Sequence, residues 1–241
     1  MTLLGIETSG DTASIAVREG ETILASRAFP SRSSLCERLA AEIGSALQHL
    51  GEAARPDAIA VSRGPGSFTS LRIGVVTAKA FAHRFGIPLI GVPTTEVVAW
   101  PFAEEGDAPI AVMLPAWNTA LYLAVYLPEA HGGLKEQSAP VAVQPDEAIR
   151  QIGVLESPVQ LVGRGALEHR EPLEAALGGR ARFAPPSLCE PDAAQLTALA
   201  LLRIENADPE AAFRLRPLYI VPSQAERVAG LDLGLTGAGD G

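Results

Sequence analysis

Two short polar turns carry residue types that could hold a phosphate or a carboxylate. Thr8-Ser9-Gly10-Asp11-Thr12 follows an apolar run ending in Glu7, and Arg63-Gly64-Pro65-Gly66-Ser67 follows a second apolar run, Ile59-Ala60-Val61. The second turn rests on glycine torsions and leads into an apolar helix beginning near Ser67 or Thr69. A strand, a glycine turn and a helix N-terminus leave backbone N–H groups and the positive end of a helix dipole facing whatever covers the turn. Thr8, Ser9, Gly64, Gly66 and Ser67 are therefore the candidate nucleotide or phosphate contacts, with Glu7 and Asp11 as neighbouring carboxylates. A tight turn that binds nothing has the same composition, and no P-loop lysine follows Gly66.

Other chemistry finds little support. His49, His83, His131 and His169 are scattered, no two sit at i, i+4, and no HExxH occurs. Cys36 and Cys189 are the only cysteines and lie far apart, which argues against a disulfide framework and a zinc site and suits a reducing cytoplasm. Cys36 falls on a helical stretch, and Ser67 has neither a G-x-S-x-G elbow nor a nearby general base. No catalytic residue and no metal site is expected.

The elements that must position these turns follow from periodicity. Leu3 to Glu7, Ala13 to Val17 and Thr22 to Ala28 are predicted strands joined by polar turns, an antiparallel meander. From there the period changes. Leu35, Leu39, Ile43, Ala46, Leu47 and Leu50 recur at steps of three and four, giving an amphipathic helix with Ser33 or Ser34 as N-cap and Gly51 near its end. The helix after the glycine turn has an apolar stripe of Leu71, Val75, Ala78, Ala82 and Phe85, yet Ile73, Val76, Ala80 and Phe81 fill much of the rest of its circumference. Such a helix is expected to be buried on two sides, by a second layer of the chain or by a partner, and Gly74 with Ala78 and Ala80 would admit a close neighbour. Gly86-Ile87-Pro88 ends it before a strand over Leu89 to Val92, which completes a βαβ unit.

The polar stretch Glu104 to Asp107 is the expected boundary between two lobes, 1–104 and 105–228. Beyond it, Ile110 to Leu114, Ala120 to Tyr126, Val141 to Val143 and Val159 to Val162 are predicted strands, the last closed by a second glycine turn, Gly163-Arg164-Gly165. Helices are expected over Glu168 to Leu177 and, capped by Asp192, over Ala193 to Glu205; both are assigned to the second lobe. Arg216 to Ile220 is expected to be extended, and 229–241, rich in glycine, to be a disordered tail.

Length and charge narrow the class. At 241 residues the chain can bury one large core or two of roughly 100 residues, and its hydrophobic content of 47% is ample for either. Aromatics are scarce at 5%, a composition of helices packed on sheets. A net charge of −9 makes the protein as a whole repel nucleic acid, so a role near RNA would need a basic surface supplied by another subunit. No apolar run approaches the ~20 residues of a membrane span, and the opening MTLLGIETSG lacks the basic n-region of a signal peptide. A cytoplasmic protein is expected.

The segments LLGIETSGDTASIAV, AVSRGPGSFTSLRIGVVTAKAFAHRFGIPLIGVPTTE and RPLYI together resemble the TsaB (YeaZ) family, densely over roughly the first 100 residues and thinly beyond. The resemblance implies an α/β fold of the actin/Hsp70/sugar-kinase-like class (ASKHA, with a ribonuclease H-like motif) in two related lobes. It implies a non-catalytic subunit that pairs with a TsaD-like protein and works with a TsaE-like ATPase in transferring a threonylcarbamoyl group to the adenosine beside the anticodon of tRNA. The chain is then expected to meet tRNA only through the complex, to form a homodimer when alone, and to have no intrinsic cofactor, ATP belonging to the complex.

The partner face implied is that of the first lobe's two helices, where Leu39, Ile43, Leu71, Gly74, Val75 and Ala78 are the expected contacts. TsaD-like chains carry an N-H-x-E-x-H pattern whose histidines bind a metal. Here Thr94 and Val98 stand at those positions around Glu96. The family's Asp-Ala-Arg type turn is Pro115-Ala116-Trp117-Asn118 in this chain, and Trp117 is either an exposed anchor or a packed side chain. The alternative function is a nucleotide- or phosphometabolite-binding enzyme of the same fold class, using the two turns as phosphate loops.

Overall fold

A computed structural model describes residues 1–31, 34–53, 55–204 and 214–222. The chain divides into two compact units, Met1–Val97 with Pro191–Tyr219, and Val98–Glu190 with the segment beginning at Ile220.

The first unit opens with the meander β1 (Thr2–Glu7), β2 (Thr12–Glu19) and β3 (Thr22–Pro30), followed by α1 (Leu35–Leu47), β4 (Ala58–Ser62), α2 (Phe68–Phe85) and β5 (Leu89–Val92). The sheet runs β3-β2-β1-β4-β5, antiparallel within the meander and parallel from β1 through β4 to β5. Both faces of β1 and β4 are buried, which is why these strands read as continuous apolar runs rather than alternating ones. One face packs Leu4, Ile6, Ile15, Ile59 and Val61 against α1 and α2, through Leu39, Ile43, Val75 and Ala78. Each large apolar side chain so enclosed contributes about 1.5–3 kcal/mol.

The other face is covered by a helix from much later in the chain, α7 (Ala193–Leu201). Gly5 makes that approach possible, since a β-carbon there would lie 2.8 Å from the Ala193 carbonyl oxygen and 2.6 Å from the Thr197 methyl. Ala193 N donates to Ser14 Oγ at 2.9 Å, and the Arg18 guanidinium donates to Thr197 Oγ1 at 3.0 Å. The expected placement of this helix in the second lobe is therefore corrected: the small and apolar side chains of α7 complete the first sheet's second face. The break between units also falls at Val97/Val98, within α3 (Thr94–Ala99), rather than after Glu104. Asp192 caps α7 as expected, accepting from Ala194 N at 2.7 Å and Gln195 N at 3.4 Å. Ser34 precedes α1 but makes no side-chain cap, and the expected tail 229–241 lies outside the described residues.

The second unit repeats the plan. β6 (Ile110–Pro115), β7 (Leu121–Glu129) and β8 (Gly133–Val143) form a meander, and β9 (Val159–Val162) and β10 (Ala181–Phe183) extend it in parallel, in the order β10-β9-β6-β7-β8. The helices are α4 (Pro145–Gly153), α5 (Arg164–Glu168) and α6 (Arg170–Leu177). The single predicted helix over Glu168 to Leu177 thus becomes two, broken at His169. The sequence pattern recovers only the end of β8, whose earlier residues are largely polar and solvent-facing.

Candidate functional site

The two polar turns of the first unit meet at the C-terminal ends of β1, β4 and β5. Ser67, the N-cap of α2, makes no side-chain cap; instead its backbone N–H donates to the Ser9 carbonyl at 2.8 Å. Gly66 allows this contact, because a β-carbon there would overlap that same carbonyl. Gly64 has φ +107 and lies under the Leu218 carbonyl, 2.8 Å from where a β-carbon would stand. Leu218 N donates to Arg63 O at 2.6 Å, and Thr94 N to Gly64 O at 2.8 Å. The glycines thus let three stretches of backbone approach one another. Thr8, Ser9, Gly64, Gly66 and Ser67, the candidate phosphate contacts, lie on these two adjoining turns, and the Ser67 amide has the Ser9 carbonyl as its acceptor.

Beneath the turns sits a buried carboxyl. Glu7 is fully enclosed; its Oε1 accepts from Ser9 N at 2.6 Å and Ser9 Oγ at 2.5 Å. Among the described residues, Glu7 Oε2, Thr8 Oγ1 and Thr94 Oγ1 are buried without a hydrogen-bond partner. Burial lifts the Glu7 carboxyl above its ordinary range, the Ser9 and Ser62 hydrogen bonds pull the other way, and Asp192 adds a smaller upward push. The carboxyl's environment was not legible from the turn alone, because Ser62 comes from the distant end of β4.

The expected partner contacts need correction. Leu39, Ile43, Leu71, Gly74, Val75 and Ala78 are all buried inside this unit, where they form the helices' contact with the sheet. Gly74 admits the Thr8 side chain, whose Oγ1 a β-carbon would overlap, rather than a helix of another subunit. The apolar stripe that stood out in the sequence is the inner face, since burying it stabilises this chain without any partner. The outer face of α2 presents Thr69, Arg72, Val76, Ala80, His83 and Arg84, and that of α1 presents Cys36, Ala40, Ala41 and Gly44. Arg72 stacks over the Phe68 ring at 5.2 Å, and Phe68 lies 4.5 Å from the Tyr219 ring. One sequence signal could have found this face: no aspartate or glutamate occurs between Asp57 and Glu96.

At the positions corresponding to the metal-binding pattern, Thr94 is 1% exposed, and Glu96 pairs with the Arg203 guanidinium that follows α7. Among the described residues no three His, Cys, Asp or Glu side chains are grouped to hold a metal ion. In the second unit, Asn118 takes φ 58 in the β6–β7 turn and Trp117 is 51% exposed, which selects the exposed alternative for that side chain. No described helix is long and apolar enough to cross a membrane.

The paired mixed sheets with their helices have the actin/Hsp70/sugar-kinase-like fold. A hexokinase of the ROK type from Thermus thermophilus superposes with TM-score 0.52 at 16% identity, covering 86% of this chain and all of that one (100%). Within that fold, the chain is similar to TsaB and YeaZ proteins. It is 28% identical to the tRNA threonylcarbamoyladenosine biosynthesis protein TsaB of Bacillus subtilis over 94% of its own length and 96% of that protein's. YeaZ from Pseudomonas aeruginosa shares the fold with TM-score 0.71 at 23% identity, covering 90% of this chain and 99% of that one. The family described as tRNA N6-adenosine threonylcarbamoyltransferase, TsaD, matches residues 30–147.

Proposed function

We propose that this chain is a non-catalytic assembly subunit of tRNA threonylcarbamoyladenosine synthesis. The observation that carries the reading is the match to TsaB along nearly the whole of both chains. The chain binds a TsaD-like protein through the outer faces of α1 and α2, and the TsaD-like protein, with a TsaE-like ATPase, completes the transfer of threonylcarbamoyl to the adenosine beside the anticodon. The likeness to TsaD over residues 30–147 supports a pairing of two related first lobes. Alone, in the cytoplasm, the chain forms a homodimer that the partner displaces; tRNA is met through the complex, and ATP acts there.

Two features support a role without chemistry of its own. Threonine and valine stand where the metal-binding histidines of the TsaD pattern would be, and neither replaces an imidazole. The glycine turn that could cradle a phosphate has its Ser67 amide bonded to Ser9. Light scattering on size-exclusion fractions tests the reading. The chain mixed with the TsaD-like and TsaE-like proteins of the same cell, with and without ATP, is expected to leave its homodimer for a stable complex. Absence of a complex, together with tight ATP binding by the isolated chain, would overturn the proposal in favour of a nucleotide-binding enzyme.

A further inference from the structure

Glu7 ends β1 between the heads of two helices that lie on opposite faces of the first sheet. Residues two apart on a strand share a face, so Glu7 lies on the side of Gly5, where Ala193 and Thr197 of α7 pack. Its register partner on β2 is Ser14, whose Oγ accepts from the N–H of Ala193, the first residue of α7, at 2.9 Å. Thr8 turns the other way, onto Gly74 of α2. Hydrogen bonds join the two sides. Glu7 Oε1 accepts from Ser9 N at 2.6 Å and from Ser9 Oγ at 2.5 Å, and the Ser9 carbonyl accepts from Ser67 N, at the head of α2, at 2.8 Å. Glu7 Oε2 is buried without a hydrogen-bond partner.

Both Ser9 donors go to one carboxyl oxygen, so a proton taken up by Glu7 goes to Oε2 and leaves the Ser9 bonds in place but neutral. Ionised, the carboxylate holds Ser9 by two charge-assisted bonds, each roughly twice as strong as a neutral one. Bonds in series polarise one another, which passes the change on to Ser67. We propose that Glu7 is a proton-operated latch between the heads of α7 and α2: ionised, it fixes the β1–β2 turn against α2 while facing the Asp192 charge, and protonated, it slackens the first and relieves the second. Opposed demands make the group switchable. Burial and Asp192 favour the neutral acid, while Ser9 from the turn and Ser62 from β4 face it as donors that favour the anion. Asp192 is the charged group that acts on it among the described residues. The latch gives local and global effects of opposite sign. Ionisation tightens the turn, yet it lowers overall stability, because the folded carboxyl sits above its unfolded value of 4.5.

The test follows the amide and side-chain carboxyl resonances of the full chain by NMR from about pH 4 to about pH 9. The Ser9 and Ser67 amides and the Glu7 carboxyl carbon are expected to move together, with one midpoint above 4.5. Hydrogen-exchange protection of the Ser67 amide is expected to rise at least about threefold through that midpoint. Glu7→Gln is expected to hold both amides still. Asp192→Asn, which keeps a capping oxygen, is expected to lower the midpoint, and Ser9→Ala, which loses the Oγ donor, to raise it. These two variants decide the matter even where the glutamine variant fails to fold. A Ser67 amide that stays still while the Glu7 carbon titrates would overturn the latch. So would Ser67 protection that falls through the midpoint, a Glu7 carbon that does not titrate in this range, or a Ser67 shift that survives in Glu7→Gln.

Discussion

The two units solve the same backbone problem with different side chains. In each, a parallel strand ends in a glycine turn that backs onto the first hairpin: β4 leads to Gly66 against Ser9, with Gly64 under Leu218, and β9 leads to Gly163 and Gly165 against Met113 and Leu121. Gly64 has φ +107 and Gly163 φ +97, so the turn geometry recurs. The surroundings differ. Around the first turn lie Glu7, Thr8, Ser62 and Thr94, all buried, whereas Met113, Leu114 and Leu121 line the second. The helix that follows is 18 residues long in the first unit and 5 in the second. A glycine turn after a strand is thus a folding device first, and chemistry depends on what is packed beneath it. The polar version, with its buried carboxyl, is the one that departs from what stability alone would choose.

The largest expected effects test whether the two turns are equivalent. Gly66→Ala and Gly163→Ala should each cost about 2–4 kcal/mol in chemical denaturation, because both place a β-carbon on a backbone carbonyl that cannot move aside, and Gly163 adds a left-handed φ. A loss confined to the first unit would break the comparison. By the same logic Gly74→Arg, which forces a side chain onto Thr8, should unfold the chain rather than selectively remove a partner.

Glu7→Gln sharpens the difference in polarity. The folded protein holds its Glu7 proton more tightly than the unfolded chain, whose value is the ordinary one, 4.5. Between that value and the raised folded value the native state binds more protons, so this group's contribution to stability falls as pH rises through the window. The amide can still accept from Ser9 and carries no titratable proton. Urea midpoints measured from pH 4 upward should therefore decline less for the variant, and an unchanged slope would show that Glu7 is ionised throughout.

Smaller effects concern the helices. Asp192→Ala should cost about 1 kcal/mol through the lost cap on α7, and it should loosen the first unit's sheet rather than the second's, as amide exchange of β1 and β2 would reveal. Gly44→Ala should instead stabilise by about 0.5–1 kcal/mol, since that glycine lies on the exposed side of α1 with open space beside it. A destabilising Gly44→Ala would show that α1 is constrained within this chain at a point where its surface stands open.

Much of the first unit was legible because its signals are local. The β1–β2–β3 meander, the heptad-like run of α1 and the β4–α2–β5 unit follow from periodicity and from glycine and proline at their ends. Less of the second unit was. α4 went unread, although Pro145 at its start, Asp146 and Glu147 in its first turn and the Ala148 and Ile152 pair mark it. β10 is only three residues long, too short for a pattern. At the candidate site, Thr8, Ser9 and the glycines were identifiable by type, while Ser62 carries no local mark of the buried carboxyl it faces.

The sequence by itself determined the order of strands and helices, the two glycine turns, the missing metal-binding histidines and the acid-free run around α2, since each is a property of neighbours along the chain. Only the tertiary structure decided that α7 returns to cover the first sheet, that Ser9 occupies the amide of the glycine turn, and that Leu71, Val75 and Ala78 face inward while Arg72 and Val76 face out. An apolar stripe records that a helix face is buried, but burial against one's own sheet and burial against a partner remove the same water. Only the position of the sheet distinguishes them.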